Sequence, residues 1–228
     1  MTFREKVVLV AGGTGGLGRA VSLAFLEQGA RVIVTFRNEA ELAQLPGVEG
    51  VRTNVTNAEE VAQLFEGIIA QHGRLDVMVN AVGGYAGGSP LWESPVENLN
   101  KMLELNLRAG FLLASGAAKA MVRQGRGAIV NIAAKAAFDH PAGLGAYSAS
   151  KAAAVAMIDS LAADLLGTGV RVNSVLPSII DTEANRKAMP NANYSRWPKP
   201  EAIAKVILFL CSDDGDLIHG ASVPVYGH

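Results

Sequence analysis

One cysteine, Cys211, stands among 228 residues. That excludes an internal disulfide framework and any zinc site built on cysteines. It ends the apolar run ValIleLeuPheLeuCys, where a small buried hydrophobe fits better than a reactive thiol. An excess of one charge is also missing: 20 Lys and Arg against 21 Asp and Glu leave a net charge of −1. The basic residues form no stripe, so no nucleic-acid partner is expected. The four histidines, His72, His140, His219 and His228, lie far apart with no ligand spacing, so no metal is expected. No apolar run reaches the roughly 18 residues of a membrane span, and the run in MTFREKVVLV is too short for a secretion signal. The expectation is a cytoplasmic protein with no membrane partner. Charged residues are few (18%) and half the chain is apolar, which excludes disorder.

What is present is a rhythm. Short runs rich in Val, Ile and Leu fall near 6–11, 31–36, 48–53, 75–80, 128–132, 170–176 and 222–226. Helical patterns lie between them, near 17–28, 57–71, 96–122, 148–166 and 200–211. The strand runs are nearly continuous in apolar residues, as strands buried on both faces should be. The alternation predicts one α/β domain over 1–228: a doubly wound, Rossmann-type parallel sheet of seven strands with helices on both faces. Two segments break the rhythm. GlyGlyTyrAlaGlyGlySerPro opens the stretch 83–95, and a polar segment at 177–198 carries Pro177, Pro190 and Pro198. Both follow carboxyl ends of strands, where open α/β sheets place ligands, and both read as substrate loops around a small molecule.

AlaGlyGlyThrGlyGlyLeuGly (11–18) joins the first strand to the first helix. Glycines there let the backbone turn tightly and approach a pyrophosphate, whose charge meets the free N–H groups of the helix. The spacing is Gly12-x3-Gly16-x-Gly18, so Gly12, Thr14, Gly16, Leu17 and Gly18 are expected to hold a dinucleotide. NAD binders place an acid at the end of the second strand to bond the ribose 2′-hydroxyl. This chain has Phe36 there, followed by Arg37. A guanidinium matches a 2′-phosphate, so NADP(H) is favoured and NAD(H) stays open; the other reading of Arg37 is a solvated surface charge.

Tyr147 and Lys151 bracket SerAlaSer at the opening of an apolar helix, and positions i and i+4 share a face. An ordinary phenol titrates near pH ~10 and a nearby ammonium lowers that value, so the pair makes a general acid for a substrate receiving hydride.

With these motifs in this order, the chain resembles the short-chain dehydrogenase/reductase family over essentially its whole length. The resemblance implies that Gly12, Gly16 and Gly18 form the phosphate turn and that Asn80 and Ala81 support the cofactor loop. It implies that Tyr147 is the acid, and that Lys151 binds the nicotinamide ribose and lowers the tyrosine pKa. Asn106 would complete a proton relay with the lysine. Thr182, after Pro177, would bond the nicotinamide carboxamide. There are departures. Ala11 stands for a usual threonine, Asn54 for an adenine-contacting aspartate, and Ser178 for a glycine. The family's catalytic serine, 13 residues before the tyrosine, is here Ala134. Losing an oxyanion-type donor costs roughly 10²–10³ in rate on an ordinary ketone.

An alanine at that position resembles the quinonoid dihydropteridine reductase branch. AlaValGlyGlyTyrAlaGlyGly (81–88), AlaLysAlaAla (134–137), AspThrGluAlaAsnArgLysAlaMetPro (181–190) and TyrSerArgTrp (194–197) resemble that branch too. The implied activity is NAD(P)H-dependent hydride transfer to a small conjugated electrophile, with Tyr85 and Trp197 stacking on it beside Ala134; both rings fit equally as loop packing. The alternatives are a ketone or 3-oxoacyl-thioester reductase, in which a water or Tyr85 replaces the serine, and a non-catalytic NADP-binding scaffold or sensor. Residues 152–166 are apolar almost all round, so the helix over 148–166 is expected to pair in a homodimer or homotetramer.

Overall fold

The computed structural model describes residues 2–227. Seven parallel strands form one sheet: β1 (Val7–Ala11), β2 (Arg31–Phe36), β3 (Glu49–Arg52), β4 (Val77–Asn80), β5 (Gly127–Ile132), β6 (Val170–Pro177) and β7 (Ser222–Val225). Their order is β3-β2-β1-β4-β5-β6-β7, so the chain reverses its direction of travel between β1 and β4. Every neighbouring pair is parallel, from Ile33 opposite Glu49 at one edge to Pro177 opposite Val225 at the other.

The Val-Ile-Leu runs are two-faced because the sheet is covered on both sides. Leu9, Ile33, Met78 and Ile129 point to one layer, formed by α3 (Ala58–His72), α5 (Ala109–Gln124) and α7 (Gly145–Asp164). Val8, Val10, Val34, Val79 and Val130 point to the other, formed by α1 (Gly16–Glu27) and α9 (Pro200–Cys211). The doubly wound expectation therefore holds. Cys211 is buried in the second layer, and its thiol is pushed up to about 12 by that burial. Among the described residues no helix is long and apolar enough to cross a membrane.

Three expectations need correction. β3 and β7 are not buried on both faces: β3 alternates between half-buried and exposed residues and β7 has none fully buried, because each is an edge strand with a partner on one side only. The helix predicted over 96–122 is broken into α4 (Val96–Met102), a π-helical turn (Leu103–Arg108) and α5. Apolar periodicity does not reveal a turn that merely widens the coil, and such turns gather at functional sites. The segment 177–198 is not plain loop either. It contains α8 (Glu183–Ala188), capped by the Thr182 side chain, and a 3₁₀ turn at Tyr194–Arg196. Two further short helices went unread, α2 (Glu39–Leu42) and α6 (Ala136–Asp139).

Candidate active site

Strands β1, β4, β5 and β6 end together at Ala11, Asn80, Ile132 and Pro177, and the predicted site residues follow those ends. The glycine turn is shaped by close approach. Gly12 sits at φ +73°, and a Cβ on Gly18 would collide with the Gly12 carbonyl oxygen. Helix α1 then starts with no side-chain cap and no acid in its first turn, whereas α3 is capped by Asn57 and opens with Glu59 and Glu60. A helix N-terminus left without acceptors beside a glycine turn fits an incoming pyrophosphate. Residues that sequence reading passed over fix the turn. Thr35 Oγ1 accepts from Gly12 N at 2.9 Å, and Ser22 Oγ donates to the Gly18 carbonyl at 2.9 Å. Both are buried polar groups inside apolar elements, which is the signal that marks them.

Leu17 is buried in the first turn of α1, and Thr14 Oγ1 donates to Glu41 of α2 at 2.9 Å. Arg37 is exposed just past β2. Beside it Arg52 donates to the Arg37 carbonyl, pairs with Glu39 at 2.8 Å and lies over the Phe36 ring. Two arginines thus stand at this corner, and sequence reading found one. Asn54 Oδ1 accepts from Thr56 N and Oγ1 in a local turn. Asn80 braces the middle of the site: its Nδ2 donates to Asn131 and its Oδ1 accepts from Val82 N, while Ala81 N donates to the Ala11 carbonyl.

Tyr147 and Lys151 lie in the first two turns of α7, which begins at Gly145, earlier than its apolar run. Burial pushes the Tyr147 phenol up to about 12, and the adjacent Tyr85 adds to the rise. Lys151 is buried and pushed down to about 8; its Nζ donates to the Ile132 carbonyl at 3.0 Å. The expected lowering of the tyrosine by the lysine is therefore not what this arrangement gives, because desolvation outweighs an ammonium already bonded elsewhere. The Asn106 side chain does not meet Lys151 either. Its Oδ1 accepts from Gly84 N at 2.8 Å, and its Nδ2 donates to the Gly84 carbonyl at 3.1 Å and to Ser150 Oγ at 2.9 Å. A Cβ on Gly83 would come within 3.0 Å of Asn106 Oδ1 and 3.2 Å of Lys151 Nζ, so a side chain there would displace both groups by a few tenths of an ångström.

Ala134 is buried two residues past Ile132, whose carbonyl takes the Lys151 bond, with the buried Ala133 between them. Lys135 turns away, paired with Asp139 at 2.7 Å and lying over the Tyr226 ring. The Tyr85 and Tyr147 rings meet edge to face, with centroids 5.2 Å apart. Trp197 does not join them. It packs on Tyr194 at 4.9 Å inside the 177–198 segment, so its ring holds that segment's shape. Thr182 comes from the same segment to cover Gly16, where a Cβ would strike it, and its hydroxyl accepts from Asn185 N. Pro177 ends β6 and accepts from Lys135 N, and Ser178 Oγ donates to the Tyr226 carbonyl.

A family model described as "short chain dehydrogenase" matches residues 6–193. The chain is 31% identical to 3-oxoacyl-[acyl-carrier-protein] reductase FabG of Thermotoga maritima, over 100% of this chain and 98% of that one. Among solved structures, a short-chain type dehydrogenase/reductase from Mycobacterium ulcerans superposes with a TM-score of 0.95 at 28% identity, covering 100% of this chain and 90% of that one. ElxO with NADP bound superposes with a TM-score of 0.91 at 28% identity, covering 97% of each chain. An uncapped helix behind a glycine turn, a Tyr–Lys pair at the same sheet end and a family match over most of the length agree: the chain belongs to the short-chain dehydrogenases, as an NAD(P)-dependent oxidoreductase.

Proposed function

We propose that the protein is an NADPH-dependent reductase of small conjugated electrophiles of the dihydropterin kind, with Tyr147 as the acid. One observation carries this reading: a Tyr147–Lys151 site is kept while position 134 offers only a buried methyl group. An electrophile that gains conjugative stability on reduction depends less on a hydrogen bond to its carbonyl than a ketone does. When bound, the reduced nicotinamide supplies the hydride. Lys151 and Thr182 would hold its ribose and carboxamide, Asn80 and Ala81 would support the loop beneath it, and the turn from Gly12 to Gly18 would hold its phosphates. Arg37 would take the 2′-phosphate, and the corner supports that reading. Phe36 offers no carboxylate there, and of the nearby acids Glu39 is paired with Arg52 and Glu41 with Thr14.

The test is cofactor oxidation by the purified protein with quinonoid dihydropterin generated in the cuvette. Turnover well above background, faster with NADPH than with NADH, is expected. Arg37→Gln should weaken NADPH at least about tenfold and leave NADH nearly unchanged, as loss of one charge-assisted bidentate contact implies. No turnover with either cofactor, despite demonstrated binding, would remove the pterin reading.

A second reading, reduction of ketones or 3-oxoacyl thioesters, is favoured by the name of the Thermotoga relative. Against it, several cations beside the site are already held by carboxylates: Lys135 by Asp139, Arg186 by Asp181 and Lys187 by Glu183. That leaves less free positive charge for a phosphate-bearing thioester. A non-catalytic NADP-binding role is the third reading, and a Tyr147→Phe variant indistinguishable from wild type would favour it.

A further inference from the structure

We infer that Tyr85 supplies the hydrogen-bond donor that position 134 lacks, and that Asn106 is the residue that positions it. The inference rests on the reading that this site delivers hydride to a polarised C=O or C=N bond.

The loop carrying Tyr85 is fastened on both sides. Asn106 holds both the N–H and the carbonyl of Gly84, the residue immediately before Tyr85. Asn106 is itself tied to Ser150 of α7, and Ser150 Oγ donates to the Tyr147 carbonyl at 2.7 Å. One short chain of hydrogen bonds therefore links the backbone of Tyr147 to the backbone beside Tyr85. The π-helical turn presents Asn106 to that loop. Beyond Tyr85, Gly88 N donates to the Gly143 carbonyl at 3.0 Å, and the Gly87 backbone packs on Leu144. Those are the residues that lead into α7. A loop pinned to the catalytic helix before and after one tyrosine holds that phenol in fixed relation to the other.

The two phenols are also chemically available. Among the described residues, the one tyrosine hydroxyl that donates to a protein group is that of Tyr194, to the carbonyls of Met189 and Arg186. Those of Tyr85 and Tyr147 are free, and the Tyr85 side chain is 65% exposed at the cleft. Other donors near the vacant position are committed or hidden. Lys135 is paired with Asp139, His140 is turned to the Phe138 carbonyl at 2.6 Å, and Ser148 is buried.

The step balances without a further reactant. Hydride from the reduced nicotinamide adds to the substrate carbon, and the electron pair of the C=O or C=N bond moves onto the heteroatom. That atom takes the Tyr147 proton. Tyr85 donates a hydrogen bond to the same atom and keeps its proton, as an oxyanion-hole donor does.

Tyr85→Phe keeps the ring contact and removes only the hydroxyl. With NADPH and whichever substrate the wild type turns over, it should lower kcat about 10- to 100-fold on ethyl acetoacetate and about 5- to 10-fold on quinonoid dihydropterin, which leans less on that bond, with KM nearly unchanged. Ala134→Ser in the Tyr85→Phe background should restore kcat to within about threefold of wild type, because it returns a hydroxyl to the position the fold family uses. Asn106→Ala should show the same loss and the same rescue. A Tyr85→Phe enzyme with wild-type kcat, or a loss that Ala134→Ser does not restore, overturns the role of Tyr85. No turnover of either substrate by the wild type would instead remove the reductase reading beneath it.

Discussion

Tyr147 and Lys151 sit four residues apart, yet burial moves their protonation equilibria in opposite directions, the phenol up to about 12 and the ammonium down to about 8. Both shifts favour the neutral form, as desolvation must. For Lys151 the consequence for stability has a definite sign. Below pH 8 the ammonium is charged in both states, and the folded state bears the full desolvation penalty. Between pH 8 and the ordinary lysine value of 10.5 the unfolded chain binds more protons, so stability rises with pH. Lys151→Met should therefore unfold at higher urea than wild type at pH 7, by about 3 kcal/mol before the loss of the Ile132 bond is counted. The advantage should fade between pH 8 and 10.5. A difference independent of pH, measured by urea denaturation across that range, would show that Lys151 does not titrate as its surroundings require.

At the scale of elements, ends matter more than middles. Helix α1 is left uncapped where the glycine turn meets it, while the far end of α9 is closed by a residue from the sheet. Arg171 of β6 donates to the carbonyls of Leu210, Ser212, Gly215 and Ile218. A guanidinium there answers both the orphan carbonyls and the negative end of the helix. Arg171→Leu should cost about 2–4 kcal/mol by chemical denaturation while leaving cofactor affinity unchanged, because the site lies at the opposite end of the strands. The π-helical turn is the other element-scale decision. It divides the expected 96–122 helix and sets Asn106 against Gly84 and Ser150.

For the whole molecule, the proposal of a homo-oligomer built on α7 now involves α5 as well. Phe111 of α5 is 57% exposed and borders a shallow hollow with Leu107 and Met157. A hollow with an apolar floor, rimmed by Thr56, Glu104 and Arg108, between helices whose other faces cover the sheet is what a second copy of the same surface would bury. Phe111→Asp should shift the mass measured by light scattering from a multiple of 23.8 kDa to a single chain. A wild type that already elutes as a single chain would remove this reading.

What the sequence determined by itself was what depends on neighbours along the chain. Two-faced apolar runs alternating with helices dictated a doubly wound sheet, and all seven expected strands lie within a few residues of their observed ends. The glycine turn and the Tyr147–Lys151 pair were legible because a tight turn and a shared helix face are local facts. Tertiary structure alone decided what depends on distant groups. It turned Asn106 toward Gly84 instead of Lys151, placed Tyr85 on Tyr147 and Trp197 on Tyr194, and brought Arg52 to the corner of Arg37. It also set the direction of the Tyr147 shift, which sequence reading had reversed. A motif says which charges are near in sequence, but the protonation of a buried group follows from how much water the whole fold removes.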